Sequence, residues 1–480
     1  MINKSVWQGD FENYPELTED IERQTVIIGG GLAGILTAFR LSEEGAKVTL
    51  IEADKLCCGT TGKTTGKISC NQESVYFDLY CKYGKQTAKN YYLSQKNAQA
   101  DLLKLIEKYR IDCDLIKADS YIFTNGADYR LKSNYKMLVS FGADCEWIEN
   151  LNVLNAKCAL KLKNEYIFDA LKFVSGLPKK FEIFEHTRAV KIDCDAKLIF
   201  TERAVIKAEN IIVATHYPII NAHGMYILKL RQSQSYLCAV KSKLVDDMYL
   251  DEQKDGLTLR PYYGGTLFGG EDHRTGRCYN YDKIAAIEDN IKKHFKTDKI
   301  TNFWSAEDVM TADGMPMAGK YWKRSNGVYV VTGFNKWGMT NSLACADVIC
   351  DLISGKENEN IRLFAPDRKI KGAFADYVKN VSVTLKNVVL GYFRITFKNE
   401  KSIPVGYGKV VRYKGKKRAV YRGSNGKLHA IGSMCPHLHG ELKWNKNSMC
   451  WECPCHGSQF DIDGNIISSP ATKSCKSMEK

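Results

Sequence analysis

The alternation of apolar and polar residues is clearest between residues 25 and 52. Residues 25–28 form a short β-branched run without a polar interruption, as expected of a buried parallel strand. A glycine-rich turn follows, and apolar residues then recur at helical spacing, namely Ile35, Leu36, Phe39 and Leu41. A second apolar run at 48–51 ends in Glu52. The pattern predicts a strand, a helix and a second strand in the order of a parallel α/β unit.

The pattern changes twice after residue 354. Residues 355–366 are polar and contain helix-breaking residues, and a mixed amphipathic stretch follows at 373–398. Beyond Pro404, short β-rich runs alternate with turn signals. We therefore predict three parts: a large α/β unit over 1–366, a connector over 367–403 and a small β-rich domain over 404–480.

Composition places the 480-residue chain among soluble globular proteins, with 44% hydrophobic and 26% charged residues. No run approaches the roughly 18 apolar residues of a membrane-spanning helix, and the longest candidate, 388–397, contains Arg394. The first residues lack the apolar core of a signal peptide. A cytoplasmic protein without a transmembrane segment is therefore expected, and its cysteines are expected to be thiols or metal ligands rather than disulfides.

Positive charge is concentrated near the C-terminus. Residues 404–480 contain 13 Lys and Arg against 5 Asp and Glu, a net +8 of the whole chain's +14. A basic surface accelerates encounter with acidic partners, so an acidic one-electron redox protein of the ferredoxin or flavodoxin kind is one expected partner. A merely solvated basic face is the alternative. The chain lacks recognisable nucleic-acid-binding motifs, and no nucleic-acid partner is expected.

The glycine-rich turn has the spacing of a dinucleotide site. Gly29 permits the tight turn, Gly31 lets a pyrophosphate approach the backbone, and Gly34 allows close packing of helix on strand. The helix N-terminus faces the phosphates, and Glu52 accepts hydrogen bonds from ribose hydroxyls. A flavoenzyme reduced by a nicotinamide through a second Rossmann module normally has two such motifs, and this chain has one. FAD reduced directly by a substrate is therefore favoured.

Further motifs resemble those of FAD-dependent oxidoreductases of the D-amino acid oxidase, glycine oxidase and sarcosine oxidase type. The resemblance covers about residues 20–355 and includes a Gly/Ser/Thr-rich loop at 59–69, a strand at 211–215, and C-terminal motifs at 311–316 and 333–340. It implies the following additional FAD-binding residues: Thr60, Thr61, Lys63, Thr64, Thr65, Gly333, Phe334, Asn335, Gly338, Met339 and Thr340.

The same resemblance implies a Rossmann-type FAD-binding domain with an inserted α+β substrate domain. The FAD-binding part is expected at about 20–75, 152–215 and 302–355. The substrate domain is expected at about 76–151 and 216–301. The small-molecule substrate implied by the family is an amine or amino acid, which gives a hydride to FAD.

Two residues are candidates for a catalytic role. Apolar spacing predicts a helix at 341–354, whose N-terminus and the adjacent Lys336 would place positive charge near the edge of the flavin that becomes negative on reduction. Residues 269–276 combine a glycine turn with polar side chains, among which His273 is a candidate for proton removal. A structural polar hairpin is the alternative for this segment.

Two cysteine and histidine pairs near the C-terminus predict a metal site. The motifs are Cys435-Pro-His437 and Cys453-Pro-Cys-His456, separated by 15 residues. Each loop supplies one Cys and one His, whereas zinc fingers, the main alternative, usually pair Cys with Cys and His with His. Two such loops suit a 2Fe-2S cluster with two Cys on one iron and two His on the other.

The flanking sequence resembles the Rieske family, which implies a small all-β domain. By this resemblance Cys435 and Cys453 bind one iron, and His437 and His456 bind the other. Gly440 stands where Rieske proteins of the cytochrome bc type have a cysteine bonded to the partner of Cys455. Cys455 thus has no evident mate, although Cys450 is a possible substitute.

Hydrogen bonding to the cluster is also expected to differ from the family pattern. Ser458 is kept as a donor to cluster sulfur, but Phe460 replaces an expected tyrosine. Fewer hydrogen bonds to sulfur lower the potential, so a value in the lower part of the roughly −150 to +300 mV Rieske range is expected.

Together these features predict an FAD-dependent dehydrogenase that passes electrons singly through a Rieske cluster to an external carrier. One alternative is a ferredoxin-fed reductase that runs in the opposite direction. Another is a non-catalytic redox sensor or electron-transfer protein.

Overall fold

The computed structural model describes residues 4–220, 223–253, 256–277, 282–296, 299–393 and 399–475. Its helices are α1 (Leu32–Glu43), α2 (Val75–Tyr83), α3 (Lys85–Lys108), α4 (Tyr129–Ser140), α5 (Ala170–Gly176), α6 (Tyr226–Lys229), α7 (Lys283–His294), α8 (Gly338–Ser354), α9 (Asn360–Leu363) and α10 (Phe374–Phe393). Within these ranges no helix is long and apolar enough to cross a membrane.

The strands of the N-terminal unit are β1 (Ile21–Ile28), β2 (Val48–Ile51), β3 (Lys67–Ile68), β4 (Ile116–Thr124), β5 (Cys145–Leu151), β6 (Ala156–Ile167), β7 (Glu182–Phe184), β8 (Ala189–Asp193), β9 (Leu198–Thr201), β10 (Val205–Val213), β11 (Leu230–Val240), β12 (Met248–Asp251), β13 (Thr258–Tyr262), β14 (Gly265–Arg274), β15 (Asn302–Thr311), β16 (Met317–Lys320) and β17 (Val328–Thr332). The C-terminal strands are β18 (Tyr407–Tyr413), β19 (Lys416–Arg422), β20 (Leu428–Gly432), β21 (Lys443–Asn445), β22 (Cys450–Glu452), β23 (Gln459–Phe460) and β24 (Ile466–Ser468).

The first sheet has the predicted parallel strand–helix–strand unit at its centre. β1 pairs in parallel with β2 on one side and β10 on the other, and β7 and β17 extend the parallel order. Helices α1 and α8 pack against each other over this region. Ile35, Leu36 and Phe39 of α1 are buried, and each such side chain contributes about 1.5–3 kcal/mol to folding. α8 ends before Gly355, which has the positive φ of +71° typical of a helix C-terminus.

The second sheet extends beyond the substrate-domain limits expected from the sequence. Strands β6 and β15 were expected in the FAD-binding part, but β6 pairs with β4 and β5, and β15 pairs with β11 over ten residues. The segment 269–276 also differs from the expected hairpin turn, because residues 269–274 continue β14 and pair with β11. Cross-strand pairing over these lengths outweighs the local turn preference of the two glycines.

The C-terminal domain consists of two small sheets. Strands β18, β19 and β20 form an antiparallel meander, and β21 to β24 form the second sheet. The short β-rich runs predicted beyond Pro404 include residues 409–413, 418–421 and 428–431, which lie in β18, β19 and β20. The amphipathic stretch that was expected as part of the connector contains α10. The overall class is therefore α/β with a separate small all-β domain, as predicted.

Candidate functional site

A cavity of about 510 Å³ opens at the carboxyl ends of the parallel strands of the first sheet. Gly29 and Gly31 follow β1, Glu52 follows β2, and Thr215 follows β10, and all four line the cavity. Open α/β sheets bind ligands at this edge. The volume also lies within the roughly 300–1,000 Å³ typical of cofactor sites.

Two glycines shape the turn that leads into α1. Gly29 has φ +118°, and a Cβ there would lie 2.5 Å from the carbonyl oxygen of Ala214. A Cβ on Gly34 would overlap the carbonyl oxygen of Gly29. Gly31, at the start of α1, has no side chain to cap the first turn, and it lines the cavity with Leu32. This helix N-terminus at the cavity wall fits the diphosphate of a dinucleotide.

The hydroxyl-rich loop at 59–65 is held against the cavity by hydrogen bonds. The Thr61 hydroxyl accepts from Leu32 N at 3.0 Å, and the Thr60 hydroxyl donates to the Glu307 carbonyl at 3.0 Å. The indole of Trp7 donates to the Thr64 carbonyl at 2.6 Å. The loop thus has a fixed path along the cavity wall.

Glu52, the residue after β2, contacts the glycine turn that leads into α1. Its carboxylate accepts hydrogen bonds from Gly30 N at 2.6 Å and from Asp54 N at 3.0 Å. Burial raises the pKa of Glu52 above its usual value, although these two amides oppose the shift. A carboxylate that lines the cavity in this position can accept from ribose hydroxyls.

The loop before α8 has an unusual backbone that turns it towards the cavity. Asn335 and Lys336 are consecutive residues with positive φ, +51° and +72°. The Asn335 side chain holds this shape, because it accepts from Thr311 N at 2.8 Å and donates to the Gly333 carbonyl at 2.7 Å. Such strain persists where surrounding contacts fix it, and it often marks a functional site.

Eleven of the fifteen predicted cofactor residues line the cavity. They are Gly29, Gly31, Glu52, Thr60, Thr61, Lys63, Thr64, Thr65, Phe334, Gly338 and Met339. The other four lie behind its wall and are Gly34, Gly333, Asn335 and Thr340. Of these, Thr340 donates a 2.6 Å hydrogen bond to Gln95 in the buried interior.

Lys336 lines the cavity within a group of carboxylates. Its ammonium forms an ion pair with Asp272. Burial alone lowers the pKa of Lys336, but the nearby carboxylates of Asp272, Glu73 and Asp308 raise it above the usual lysine value. Burial raises the pKa of Asp308 to about 7. Two carboxylates, Asp272 and Glu73, thus lie near one ammonium in this part of the cavity, and Asp308 is about half protonated at neutral pH.

His273 does not lie in the cavity. Successive side chains of a strand point to opposite faces, and Asp272 is the residue of β14 that lines the wall. The His273 ring lies 3.1 Å from the hydroxyl of Tyr236, between β11 and the C-terminal domain. The catalytic role expected for His273 therefore finds no support in this geometry.

Sequence reasoning missed two buried polar residues of the cavity wall, Glu307 and His216. Glu307 Oε1 and His216 Nε2 are buried without a hydrogen-bond partner among the described residues. Burial raises the pKa of Glu307 to about 8 and lowers that of His216 to about 4. Glu307 stands in an alternating strand pattern with no local motif, so the sequence offered no signal for it.

The four predicted cluster ligands come together at one end of the C-terminal domain. The thiols of Cys435 and Cys453 lie in hydrogen-bonding contact, and the rings of His437 and His456 have centroids 5.1 Å apart. Nδ1 of His456 is buried and has no hydrogen-bond partner among the described residues. A buried imidazole nitrogen without a protein partner is suited to bind a metal ion.

The donor set fits a two-iron cluster better than a zinc ion. Within the described ranges no three His, Cys, Asp or Glu side chains are arranged to hold one metal ion. A structural zinc site requires four such ligands around a single ion. Each iron of a Rieske cluster takes only two, either two Cys or two His.

The structure also clarifies the environment of Cys455. A Cβ on Gly440 would lie 2.5 Å from the Cys455 sulfur, so Gly440 occupies the place of the missing partner cysteine. Cys450 does not replace that partner. Its sulfur lies 3.9 Å from Glu452 Oε1, whereas the Cys455 sulfur lies 3.9 Å from the Thr384 carbonyl.

The C-terminal domain forms part of the cavity wall. Residues 466–469 of β24 and the following turn line the cavity, together with Gln459, Ala471 and Thr472. The Ser469 hydroxyl donates to the Thr215 carbonyl at 2.9 Å, and Gln232 donates to the Ser469 carbonyl at 3.0 Å. One cavity is thus enclosed by both domains.

Further hydrogen bonds fix the cluster loops on the N-terminal unit. Arg274 donates to the Cys455 carbonyl at 3.3 Å, and Gly276 N donates to Glu452 Oε2 at 2.9 Å. Asn445 donates to the Tyr236 hydroxyl at 2.9 Å. These buried polar contacts set a defined position of the domain rather than a loose tether.

The two histidine ligands have different surroundings. His456 is 2% exposed, and its ring centroid lies 6.2 Å from that of Tyr217, which follows Thr215 by two residues. His437 is only partly buried, and His439 beside it is exposed. Of these two predicted ligands, His456 is thus enclosed beside the N-terminal unit, whereas His437 is partly accessible to solvent.

Comparison with protein families matches both parts of the chain. The model of the FAD dependent oxidoreductase family (DAO) matches residues 24–352, and that of the Rieske [2Fe-2S] domain matches residues 394–479.

Individual proteins show the same two parts. YhfW of Bacillus subtilis (strain 168), which is named as a Rieske 2Fe-2S iron-sulfur protein, is 30% identical over 98% of this chain and 96% of its own length. Glycine oxidase of the same strain is 24% identical over 72% of this chain and 97% of its own length. The crystal structure of glycine oxidase from Geobacillus kaustophilus covers 74% of this chain and 100% of that one at 17% identity, with a TM-score of 0.60.

Proposed function

Since this chain belongs to the FAD-dependent oxidoreductase family and carries a C-terminal Rieske domain, with FAD and a 2Fe-2S cluster as its cofactors, we propose that it is an amine or amino acid dehydrogenase. In this proposal electrons from the substrate leave singly through the Rieske domain to an external carrier. The observation that carries the proposal is the cavity wall, to which both domains contribute. When bound, FAD accepts a hydride, and the cluster takes up one electron at a time.

The residues of the cavity divide into binding and positioning roles. The N-terminus of α1 and Gly31 hold the diphosphate, and Glu52 holds a ribose. Asn335 keeps the Lys336 backbone turned into the cavity through its bond to Gly333. In this proposal the Lys336 ammonium stabilises the negative charge that develops on the flavin on reduction.

The charge around Lys336 supports a cationic substrate. Asp272, Glu73 and Asp308 place up to three carboxylates around one ammonium. An excess of negative charge in a buried cavity attracts a protonated amine and disfavours an anion. The names of the oxidase relatives, among them glycine oxidase, support the same substrate class.

The surroundings of the histidine ligands support a path for electrons between the cavity and the surface. His456 packs against Tyr217 on the side of the cavity, whereas His437 is partly exposed. Electrons that enter on the His456 side can leave on the His437 side without movement of the domain. The basic surface of the C-terminal domain suits an acidic carrier of the ferredoxin or flavodoxin kind at that exit.

Anaerobic mixing with a panel of amines and amino acids tests this proposal. A substrate is expected to bleach the flavin absorbance and then to produce the EPR signal of a reduced Rieske cluster. Asp272→Asn should weaken binding of that substrate by about tenfold, whereas the exposed control Asp246→Asn should not. Flavin reduction by reduced ferredoxin, with no response to any amine, would overturn the proposal in favour of the opposite direction.

A further inference from the structure

Helix α10 carries an exposed apolar stripe that the proposed reaction does not use. Its members are Phe374, Val378, Leu385, Val389 and Tyr392, here called the α10 stripe. At 100° per residue they fall within about 60° of one another around the helix. All five are exposed, with Phe374 81% and Tyr392 63% exposed. A continuous exposed apolar surface of this kind usually marks a binding surface.

The opposite side of α10 is hydrogen-bonded to the rest of the protein. Asn380 donates to the Leu228 carbonyl at 2.9 Å and accepts from Arg274 at 2.8 Å. The Gly391 carbonyl accepts from Lys417 at 2.6 Å. The helix is thus fixed across both domains, and its stripe faces away from them.

Lysines follow the stripe on one side. Lys379 and Lys386 are exposed and lie about 60–80° beyond its edge. Asp376, the acidic residue of this helix, lies still further from the stripe around the helix. The C-terminal domain behind the helix carries a net +8 over residues 404–480. An apolar face with a basic margin is the pattern of a helix that lies in the interface of a membrane.

The size of the stripe argues against a second copy of this chain as its occupant. A helix of 20 residues is about 30 Å long, and a face about 10 Å wide offers about 300 Å². A stable protein interface buries about 800 Å² per partner. A lipid surface has no such threshold, because acyl chains adapt to the apolar groups and anionic headgroups neutralise the lysines.

We infer that α10 docks this protein on an anionic lipid bilayer, lying parallel to the surface with the α10 stripe inserted and Lys379 and Lys386 at the headgroups. The inference is independent of the substrate and of the direction of electron flow. Docking would bring the cluster side of the protein to the membrane, because the Thr384 carbonyl on α10 lies 3.9 Å from the Cys455 sulfur.

Co-sedimentation of the full-length holoprotein with vesicles tests the inference. The protein is expected to sediment with vesicles of phosphatidylcholine and phosphatidylglycerol, to bind pure phosphatidylcholine more weakly, and to be released by salt. Val389→Glu should weaken binding by about tenfold or more. Val139→Glu on α4 is the matched control, because the two valines are equally exposed, at 49% and 50%. Lys379→Gln combined with Lys386→Gln should reduce the preference for anionic vesicles.

Retained flavin absorbance will show that the variants fold. Failure of the wild-type protein to bind either vesicle would overturn the inference, as would equal effects of Val389→Glu and Val139→Glu. A dimer in solution that Val389→Glu dissociates, without vesicle binding, would identify a second copy as the occupant instead. Loss of ferredoxin binding in the same variant, again without vesicle binding, would identify an acidic protein.

Discussion

The cavity draws its wall from segments up to about 440 positions apart, from Gly31 to Thr472, whereas the four predicted cluster ligands lie between Cys435 and His456. Much of the cavity wall is backbone and hydroxyl groups, each of which contributes a small part of the binding energy. The cluster site depends on four side chains, each of which supplies half of the protein ligands of one iron. Loss of one group in the cavity wall should therefore lower the affinity for FAD only in part. Loss of one cluster ligand should abolish the cluster.

The largest expected effect tests the cluster side of this comparison. Cys453→Ser should remove the Rieske EPR signal and the bound iron, because one iron loses half of its protein ligands. The flavin absorbance should remain, since Cys453 does not line the cavity. Cys455→Ser is the control, as this neighbouring thiol is not a ligand, and it should keep the signal. Loss of flavin together with iron in Cys453→Ser would show instead that the two sites fold as one unit.

A glycine substitution tests the cavity side. Gly34→Ala places a methyl group against the Gly29 carbonyl and forces α1 away from β1. Overpacking of this kind costs about 1–3 kcal/mol, and if FAD binding bears this cost the affinity falls about 5- to 150-fold. Fluorescence titration of the apoprotein with FAD measures this fall in affinity.

The matched control for Gly34→Ala lies in the other region. Gly432→Ala adds a methyl group 3.5 Å from the Cys475 carbonyl, which is an ordinary contact. FAD affinity should not change in this variant. An equal fall in FAD affinity in both variants would contradict the role of the glycine turn before α1.

Sequence patterns predicted the local parts of both sites. The glycine spacing and Glu52 are encoded within 24 residues, and the cluster ligands within 22. Such motifs are readable because the chemistry needs defined residue types at a defined spacing along the chain. The second sheet was less predictable, because the partner of β15 is β11, about 70 residues earlier.

Contacts between the domains left no local signal. Gln232 and Ser469 bond each other from positions 237 residues apart, and neither belongs to a motif. His273 lies off the cavity wall, and its neighbour Asp272 lines the cavity instead. Successive side chains of a strand point to opposite faces of the sheet. Because the sequence of residues 269–276 did not indicate a strand, it did not show which of these side chains share a face.

A smaller effect concerns Glu307, which lies where the two regions meet. Burial raises the pKa of Glu307 to about 8, while an unfolded glutamate titrates near about 4.3. Between these values the folded state holds a proton that unfolding releases, so stability falls as pH rises through this window. Glu307→Gln removes the dependence and should raise the melting temperature at pH 9 by about 2–4 °C relative to the wild type.

Thermal melting of the holoprotein across pH 6 to 9 checks this prediction. The difference between Glu307→Gln and the wild type should grow with pH. The exposed control Glu209→Gln should follow the wild-type curve throughout. Parallel curves for Glu307→Gln and the wild type would mean that the carboxyl is already ionised in the folded protein.

The smallest expected effect separates the electronic tuning of the cluster from its assembly. The Ser458 hydroxyl accepts a 3.0 Å hydrogen bond from Ala471 N, which leaves its own hydrogen for a cluster sulfur. Ser458→Ala should keep the cluster and lower its potential by about 20–60 mV, the equivalent of one hydrogen bond of about 0.5–1.5 kcal/mol. EPR-monitored redox titration measures this shift, with Ser424→Ala in an exposed turn as the control. An unchanged potential would show that the Ser458 hydroxyl serves only to hold Ala471. The cluster site would then depend, like the cavity, on the placement of the backbone as well as on its ligands.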